Sequence, residues 1–437
     1  MPKPQHKAWI VSVDMGYGHQ RAAAALEHLA EGDAVISANS YGNIPESDRR
    51  IWSGTERFYD FVSRLKSHGW LGRMAFNLFD NFQRIEEFYP LRQSHNPTFQ
   101  LREMFAEIES GHGQHLVREL SQKHIPLITP FPAIGFMAER WGYPAPIHII
   151  TTDADISRAW APLHPDQSIV HYCTATQRDS ERLEEYGVPS RHITYTGFPL
   201  PRELVGTKSL IAKRNLAARL PRLDPSGEYR KKFAPLVRAN LGRIPSVSKN
   251  VDLPPLRLTF AVGGAGAQVE IGIRALESLT SRIRENKIVL NLVAGVSKEV
   301  AESFRAAVAK LALNEELGRG VNILCSPSKE EYFKAFNALL AETDVLWTKP
   351  SELSFFSALG LPILIAPPIG SQEIQNRKWL NYLDAGTDAL DPSDTHEWLP
   401  DLLRSGRLAE LALNGFLKGE REGVHNITEA VFGPHPK

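Results

Sequence analysis

Cysteine is scarce in this chain: Cys173 and Cys325 are the only two among 437 residues, each inside an apolar segment. Buried thiols are expected from them rather than a disulfide framework. Net charge is lacking too, because 50 Lys and Arg stand against 50 Asp and Glu. That balance gives no electrostatic case for nucleic acid as a partner. The sequence has no apolar run long enough to span a bilayer and no apolar signal region near its start. A cytoplasmic protein is expected, with a peripheral contact to the inner face of a membrane left open. Asp153 and Asp155 have no histidine cluster near them, so no protein-held metal is expected. Repeats of solenoid length are absent as well.

What is present is a repeated strand–turn–helix pattern. Residues 8–13 read as a buried strand and 20–30 as a helix carrying four consecutive alanines. Between them stands Gly16-Tyr17-Gly18-His19. Glycine permits a tight turn and close ligand approach, and the following helix offers unpaired N–H groups to negative charge. His19 suits a base for an acceptor hydroxyl, a contact to an anionic group, or a plain loop cap. Arg21 stands where a dinucleotide-binding G-x-G-x-x-G turn needs its third glycine.

A second such unit starts at the strand 257–262. It leads into Gly263-Gly264-Ala265-Gly266, where small residues let backbone amides cradle a diphosphate or simply close a turn. The strand 345–348 precedes Lys349, which can reach a phosphate, and Glu352, which can accept from ribose hydroxyls; Ser351 is placed to cap the short helix 352–359. The strand 362–366 precedes Gln372, Glu373 and Asn376, able to contact sugar or ribose hydroxyls without a metal. In the first half, Asp153 follows the strand 147–151 and serves either to orient a substrate or to hold its loop. Alternating strands and helices on both sides predict an α/β fold: two doubly wound, Rossmann-like domains facing a central cleft.

Two stretches break this rhythm. Residues 45–110 are rich in aromatics, including Trp52, Trp70, Phe76 and Phe88, with interspersed arginines. They read as a helical subdomain packed on the core or as a lid or membrane-facing surface. Residues 207–255 read as a basic linker or insertion, since 208–249 hold eleven Lys or Arg against Asp224 and Glu228. The expected domains are 1–206 for the acceptor, with the excursion 45–110, and 256–415 for the donor. The tail 416–437 is expected to return to the first domain.

Taken in order, these motifs resemble the two-domain (GT-B) nucleotide-sugar glycosyltransferases. The nearest branch contains monogalactosyldiacylglycerol synthases, processive diacylglycerol glucosyltransferases and the muropeptide N-acetylglucosaminyltransferase. The resemblance rests on the glycine-histidine loop 16–23, Ile149-Ile150-Thr151-Thr152-Asp153, and the segment 175–199 with its Gly187-Val188-Pro189 turn and Thr196-Gly197-Phe198-Pro199 ending. It continues through the glycine loop 261–267, Thr348-Lys349-Pro350, Gly360-Leu361-Pro362, and Ser371-Gln372-Glu373 with Asn376. Where the family often carries a ribose-holding glutamate, this chain has Phe355, with Glu352 nearby.

The resemblance implies a metal-independent hexosyltransferase, inverting if the acceptor attacks directly. It would use a nucleoside diphosphate sugar, usually UDP-linked, as co-substrate, with no tightly bound cofactor. A lipid or membrane-associated acceptor is the further partner implied. An anionic membrane surface is read instead from the basic stretch 207–255, whose alternatives are a solvated face and a contact to anionic lipid or another acidic partner. His19 would be the acceptor-side base or anion contact. Gly264 and Gly266 would approach the donor diphosphate, and Gln372, Glu373 and Asn376 would contact donor sugar and ribose. A nucleotide-sugar epimerase or hydrolase, and a weakly catalytic nucleotide-sugar or lipid binding protein, are the alternatives.

Overall fold

A computed structural model describes residues 6–54, 85–89, 96–242, 253–261 and 268–433. The chain divides into two compact units. Unit 1 comprises Met1–Leu200, Gly370–Asn376 and Glu422–Lys437; unit 2 comprises Pro201–Ile369 and Arg377–Arg421.

Among the described residues of unit 1, short apolar runs make six strands: β1 (Trp9–Ser12), β2 (Ile36–Ser37), β3 (Leu127–Thr129), β4 (Ile147–Ile150), β5 (His171–Thr174) and β6 (Ile193–Tyr195). They pair in parallel in the order β2-β1-β3-β4-β5-β6. Strand side chains alternate between faces, so neighbours in sequence enter different cores. Val11, Leu127, Ile149 and Tyr172 join one apolar cluster. Ile10, Ile128, Ile150 and Cys173 join the other. The alanines of helix α1 (Tyr17–Ala25) and the helix Gly423–Phe432 cover the second face through Ala23, Val424 and Ile427. Helix α2 (Pro132–Arg140) lies on the first face, close enough that a Cβ on Gly135 would sit 2.6 Å from Ile149 Cδ1. Helix α3 (Gln177–Glu185) starts where the Thr176 side chain accepts from the Asp179 amide, and the chain leaves it through Gly187 at φ 95.

Unit 2 repeats the principle with β7 (Leu256–Ala261), β8 (Ile288–Gly295), β9 (Val321–Cys325), β10 (Val345–Thr348), β11 (Ile363–Ile365) and β12 (Gly386–Asp388). All pairs are parallel, in the order β12-β11-β10-β7-β8-β9. Read from β9, the sheet runs third, second, first, fourth, fifth, sixth, which is the strand order of a Rossmann domain. Every residue of β8 is buried, as a parallel sheet covered on both faces requires. Two parallel sheets, each flanked by helices, give the pair of Rossmann-like domains that the sequence pattern predicts.

The stretch expected as a basic linker or insertion is helical up to Leu241, beginning with α4 (Leu210–Leu223). Its basic residues do more than form a solvated face. Arg219 is 2% exposed and donates to the carbonyls of Thr343, Gly360 and Leu359 at 2.7, 2.8 and 3.2 Å. Arg222 grips Asp344 with two bonds of 2.8 and 2.7 Å. Burial lowers the Arg219 pKa to about 10 against the pull of Asp344. Local charge pattern conceals this role because the acceptors are more than 120 residues along the chain.

Within the aromatic-rich stretch, Trp52 is buried, with its ring 4.9 Å from His112 and 6.0 Å from Phe131. Tyr89 and Phe99 are exposed. Residues 55–84 and 90–95, including Trp70 and Phe76, lie outside the described residues. Cys173 is buried, Cys325 is half-buried, and both are free thiols. No described helix is long and apolar enough to cross a membrane.

Candidate functional site

Open parallel sheets bind ligands beyond the carboxyl ends of their strands, where the winding direction reverses. In unit 1 this point lies between β1 and β3; in unit 2 it lies between β7 and β10. Of the residues singled out from the sequence, Gly16, Gly18 and His19 follow β1, and Lys349 and Glu352 follow β10.

In unit 1 the chain leaves β1 and enters α1 through Gly16. Its φ of 68 and ψ of 164 belong to a region open to glycine almost alone. A Cβ there would meet nothing within 4 Å, so the requirement is one of backbone conformation and not of space. Gly18 and His19 follow in the first turn of α1, both half-buried. The chain leaving β3 brings the Pro130 carbonyl to 2.8 Å from His19 Nδ1. A carbonyl only accepts, so Nδ1 carries the proton and the neutral ring has its basic lone pair at Nε2. Phe131 meets the imidazole edge-on at 5.1 Å, and Trp160 lies tilted at 6.2 Å. Thr152 Oγ1 stands 3.4 Å from the same Nδ1, at the long end of hydrogen bonding.

The turn after β4, Thr151 to Asp155, is tied at nearly every residue. Thr151 Oγ1 accepts from the Ala175 amide and donates to Asp179 Oδ2 at 2.5 Å. Asp153 Oδ1 accepts from Asn376 Nδ2 at 3.0 Å, and Asn376 Oδ1 accepts from the Ala154 amide at 2.7 Å. Thr176 Oγ1 donates to the Ala154 carbonyl at 2.9 Å. Asp155 takes two bonds from Arg182, of 2.9 and 2.7 Å, with the partners 7% and 2% exposed. Asp155 is thereby committed to an internal ion pair with Arg182. Burial pushes the Asp179 carboxyl well above the usual carboxylate range; the Thr151 bond opposes this, and the charges of Asp155 and Asp153 add to it. Arg182 also bonds the Glu86 carbonyl, and Phe88 lies over the guanidinium groups of Arg178 and Arg182.

In unit 2, β7 and β10 end together, with Thr348 Oγ1 donating to the Ala261 carbonyl at 3.2 Å. The glycine loop begins at this point; Gly263, Gly264 and Gly266 lie outside the described residues. Just past the loop, Gln268 Nε2 donates to the Pro367 carbonyl, joining its end to the chain leaving β11. Lys349 is half-buried beside the end of β10, and Glu352 is 8% exposed at the start of the 3-10 helix Glu352–Leu359. Ser351 holds the N-cap position, yet its side chain makes no capping bond. Phe355 is buried, with its ring 5.0 Å from Trp379. Gln372 and Glu373 are half-buried in the first turn of the helix Ser371–Leu383. Their segment, Gly370–Asn376, groups with unit 1, and Asn376 is fully buried there.

The structure thus joins His19, Asp153 and Asn376 within unit 1, and places Lys349 and Glu352 by the switch point of unit 2. The Pro130 carbonyl, Asp179 and Arg182 escaped the sequence reading as parts of this site. The one local signal at Pro130 is that it directly follows a buried strand, Leu127–Thr129; that this strand lies beside β1 is decided by the sheet order. Among the described residues, no group of three or more His, Cys, Asp or Glu side chains is arranged to hold a metal ion.

Residues 243–427, less than half of the chain, match the model of a domain of unknown function (DUF6938). No curated protein matches the sequence. Similar solved structures include MurG from Acinetobacter baumannii, at 13% identity and a TM-score of 0.47, covering 97% of this chain and 99% of that one. A putative UDP-N-acetylglucosamine 2-epimerase from Listeria monocytogenes aligns at 11% identity and a TM-score of 0.45, covering 97% and 96%. The UDP-GlcNAc 2-epimerase from Neisseria meningitidis, bound to UDP-GlcNAc, aligns at 11% identity and a TM-score of 0.44, covering 82% and 88%. These are likenesses of fold.

Proposed function

We propose that the chain is a metal-independent hexosyltransferase that moves a sugar from a nucleoside diphosphate sugar, UDP-linked, to a lipid or membrane-associated acceptor. The observation that carries this reading is the His19 imidazole, with Nδ1–H fixed on the Pro130 carbonyl at the switch point of unit 1. That tautomer leaves Nε2 as the atom to take a proton from an acceptor hydroxyl during attack on the anomeric carbon. The proton moves to Nε2, the new glycosidic bond forms, and the bond to the diphosphate breaks with inversion. Asp153 adds negative charge on the acceptor side.

On the donor side, amides of the loop holding Gly263, Gly264 and Gly266 take the diphosphate oxygens, as the unpaired amides of a glycine turn do. Lys349 adds a positive charge to the phosphates. Glu352 accepts from ribose, and Gln372 and Glu373 from sugar hydroxyls. A peripheral position on an anionic, inner membrane face would give access to a lipid acceptor.

The test is to incubate the full chain with a panel of UDP-hexoses, with and without diacylglycerol-containing anionic vesicles. UDP release and glycolipid are followed by mass spectrometry. UDP release that requires the vesicles and yields a new glycolipid supports the reading. Lipid-independent release of free sugar, formation of an epimer, or donor binding without turnover each overturns it, toward a hydrolase, an epimerase or a binding protein.

A further inference from the structure

The amide of Asn376 faces the turn that carries Asp153. Its oxygen accepts from the Ala154 amide at 2.7 Å, and its nitrogen donates to Asp153 Oδ1 at 3.0 Å. The residue is fully buried and belongs to the same compact unit as that turn, although 223 positions separate it from Asp153. From the opposite side of the turn, Thr176 holds the Ala154 carbonyl and Arg182 holds Asp155. Both polar groups of the Ala154 peptide position are therefore taken, and the carboxylate before it is aimed by a donor that comes from far along the chain. The same turn presents Thr152 to the His19 ring.

We infer that Asn376 is a positioning residue for Asp153 and His19, and not a contact to the donor sugar. Only an amide satisfies both sides of this arrangement. The Ala154 N–H needs an acceptor, and the Asp153 carboxylate needs a donor, and asparagine offers one of each in a fixed plane. A donor on a carboxylate also favours its charged form. With Asn376 in place, the turn that carries Asp153 and presents Thr152 to the histidine keeps one geometry. The inference rests on the assignment of His19 and Asp153 to the acceptor side.

Asn376→Asp is the informative variant. It keeps the acceptor for the Ala154 amide but turns the donor into a second carboxylate oxygen about 3 Å from Asp153, so the pair must share a proton. The other charged groups around the turn are Asp155, already paired with Arg182, the buried Asp179, and His19 beyond Thr152. We expect kcat to fall about tenfold or more at alkaline pH and to recover partly under mildly acidic conditions. The Kd for UDP, read by calorimetry, stays within about twofold. Asn376→Ala loses kcat throughout the pH range. An increase of about tenfold in the KM for the UDP-hexose with kcat unchanged would make Asn376 a donor contact and overturn the inference.

A second readout does not depend on turnover. The His19 Nδ1–H imidazole resonance in the wild-type chain is expected to shift or broaden in Asn376→Ala. If the wild type transfers no sugar, the proposed function fails while this resonance still judges the positioning role. An unmoved resonance in a folded Asn376→Ala chain overturns that role by itself.

Discussion

The His19 imidazole and the Pro130 carbonyl are 2.8 Å apart, and that one contact decides which ring nitrogen bears the proton. The two residues leave neighbouring strands at the point where the winding of the first sheet reverses. His19→Ala is expected to lower sugar transfer by about 10²- to 10⁴-fold, the usual worth of a general base. Calorimetry with UDP should give an unchanged Kd, because His19 is assigned to the acceptor side. Full transfer by the variant would remove the base assignment.

Gly16 tests the backbone logic of the same turn. Its φ of 68 and ψ of 164 strain any residue with a Cβ, though nothing stands in the way of the added atom. Gly16→Ala should cost about 1–3 kcal/mol from conformation alone. Urea denaturation followed by tryptophan fluorescence reads this directly. A variant as stable as the wild type would mean that the turn relaxes without penalty.

The Arg182–Asp155 pair is buried, and its two halves are not equivalent to an apolar contact. Arg182→Met leaves the Asp155 carboxylate enclosed without its partner and frees the Glu86 carbonyl. The expected loss is about 3–5 kcal/mol. Adding Asp155→Asn to that variant should restore part of it, since the stranded charge is gone. Chemical denaturation of the single and double variants measures both effects, and equal losses would point to packing rather than charge.

His148, His171 and His192 stack in a row, with ring centroids 5.4 and 4.9 Å apart. Burial, reinforced by His171, lowers the His148 pKa from 6.5 to about 4. The unfolded chain therefore binds more protons than the folded one between these values. Stability is fully present above about 6.5 and is lost as pH falls toward about 4, by about 3 kcal/mol for this residue. His148→Phe should flatten the decline in the urea midpoint across that window. An unchanged slope would assign the acid sensitivity to other groups.

Much of the architecture was legible in the residues themselves. Apolar runs such as Ile147–Ile150 and Val345–Thr348 read as strands because a buried parallel strand needs little else. Thr176 caps a helix and Gly187 lies just past its end, positions set by local chemical requirements for a capping oxygen and a left-handed backbone. Gly16 and His19 stood out for the same reason.

Other features were settled only when the strands took their order. Pro130 became the partner of His19 because β3 lies beside β1. Asn376 met Asp153, Arg182 met Asp155, and Arg219 met the Thr343 carbonyl across separations of 223, 27 and 124 residues. Periodicity and capping report what a segment does with its near neighbours. A buried polar group must instead find its partner wherever the packed sheet presents one, and no local pattern records that address.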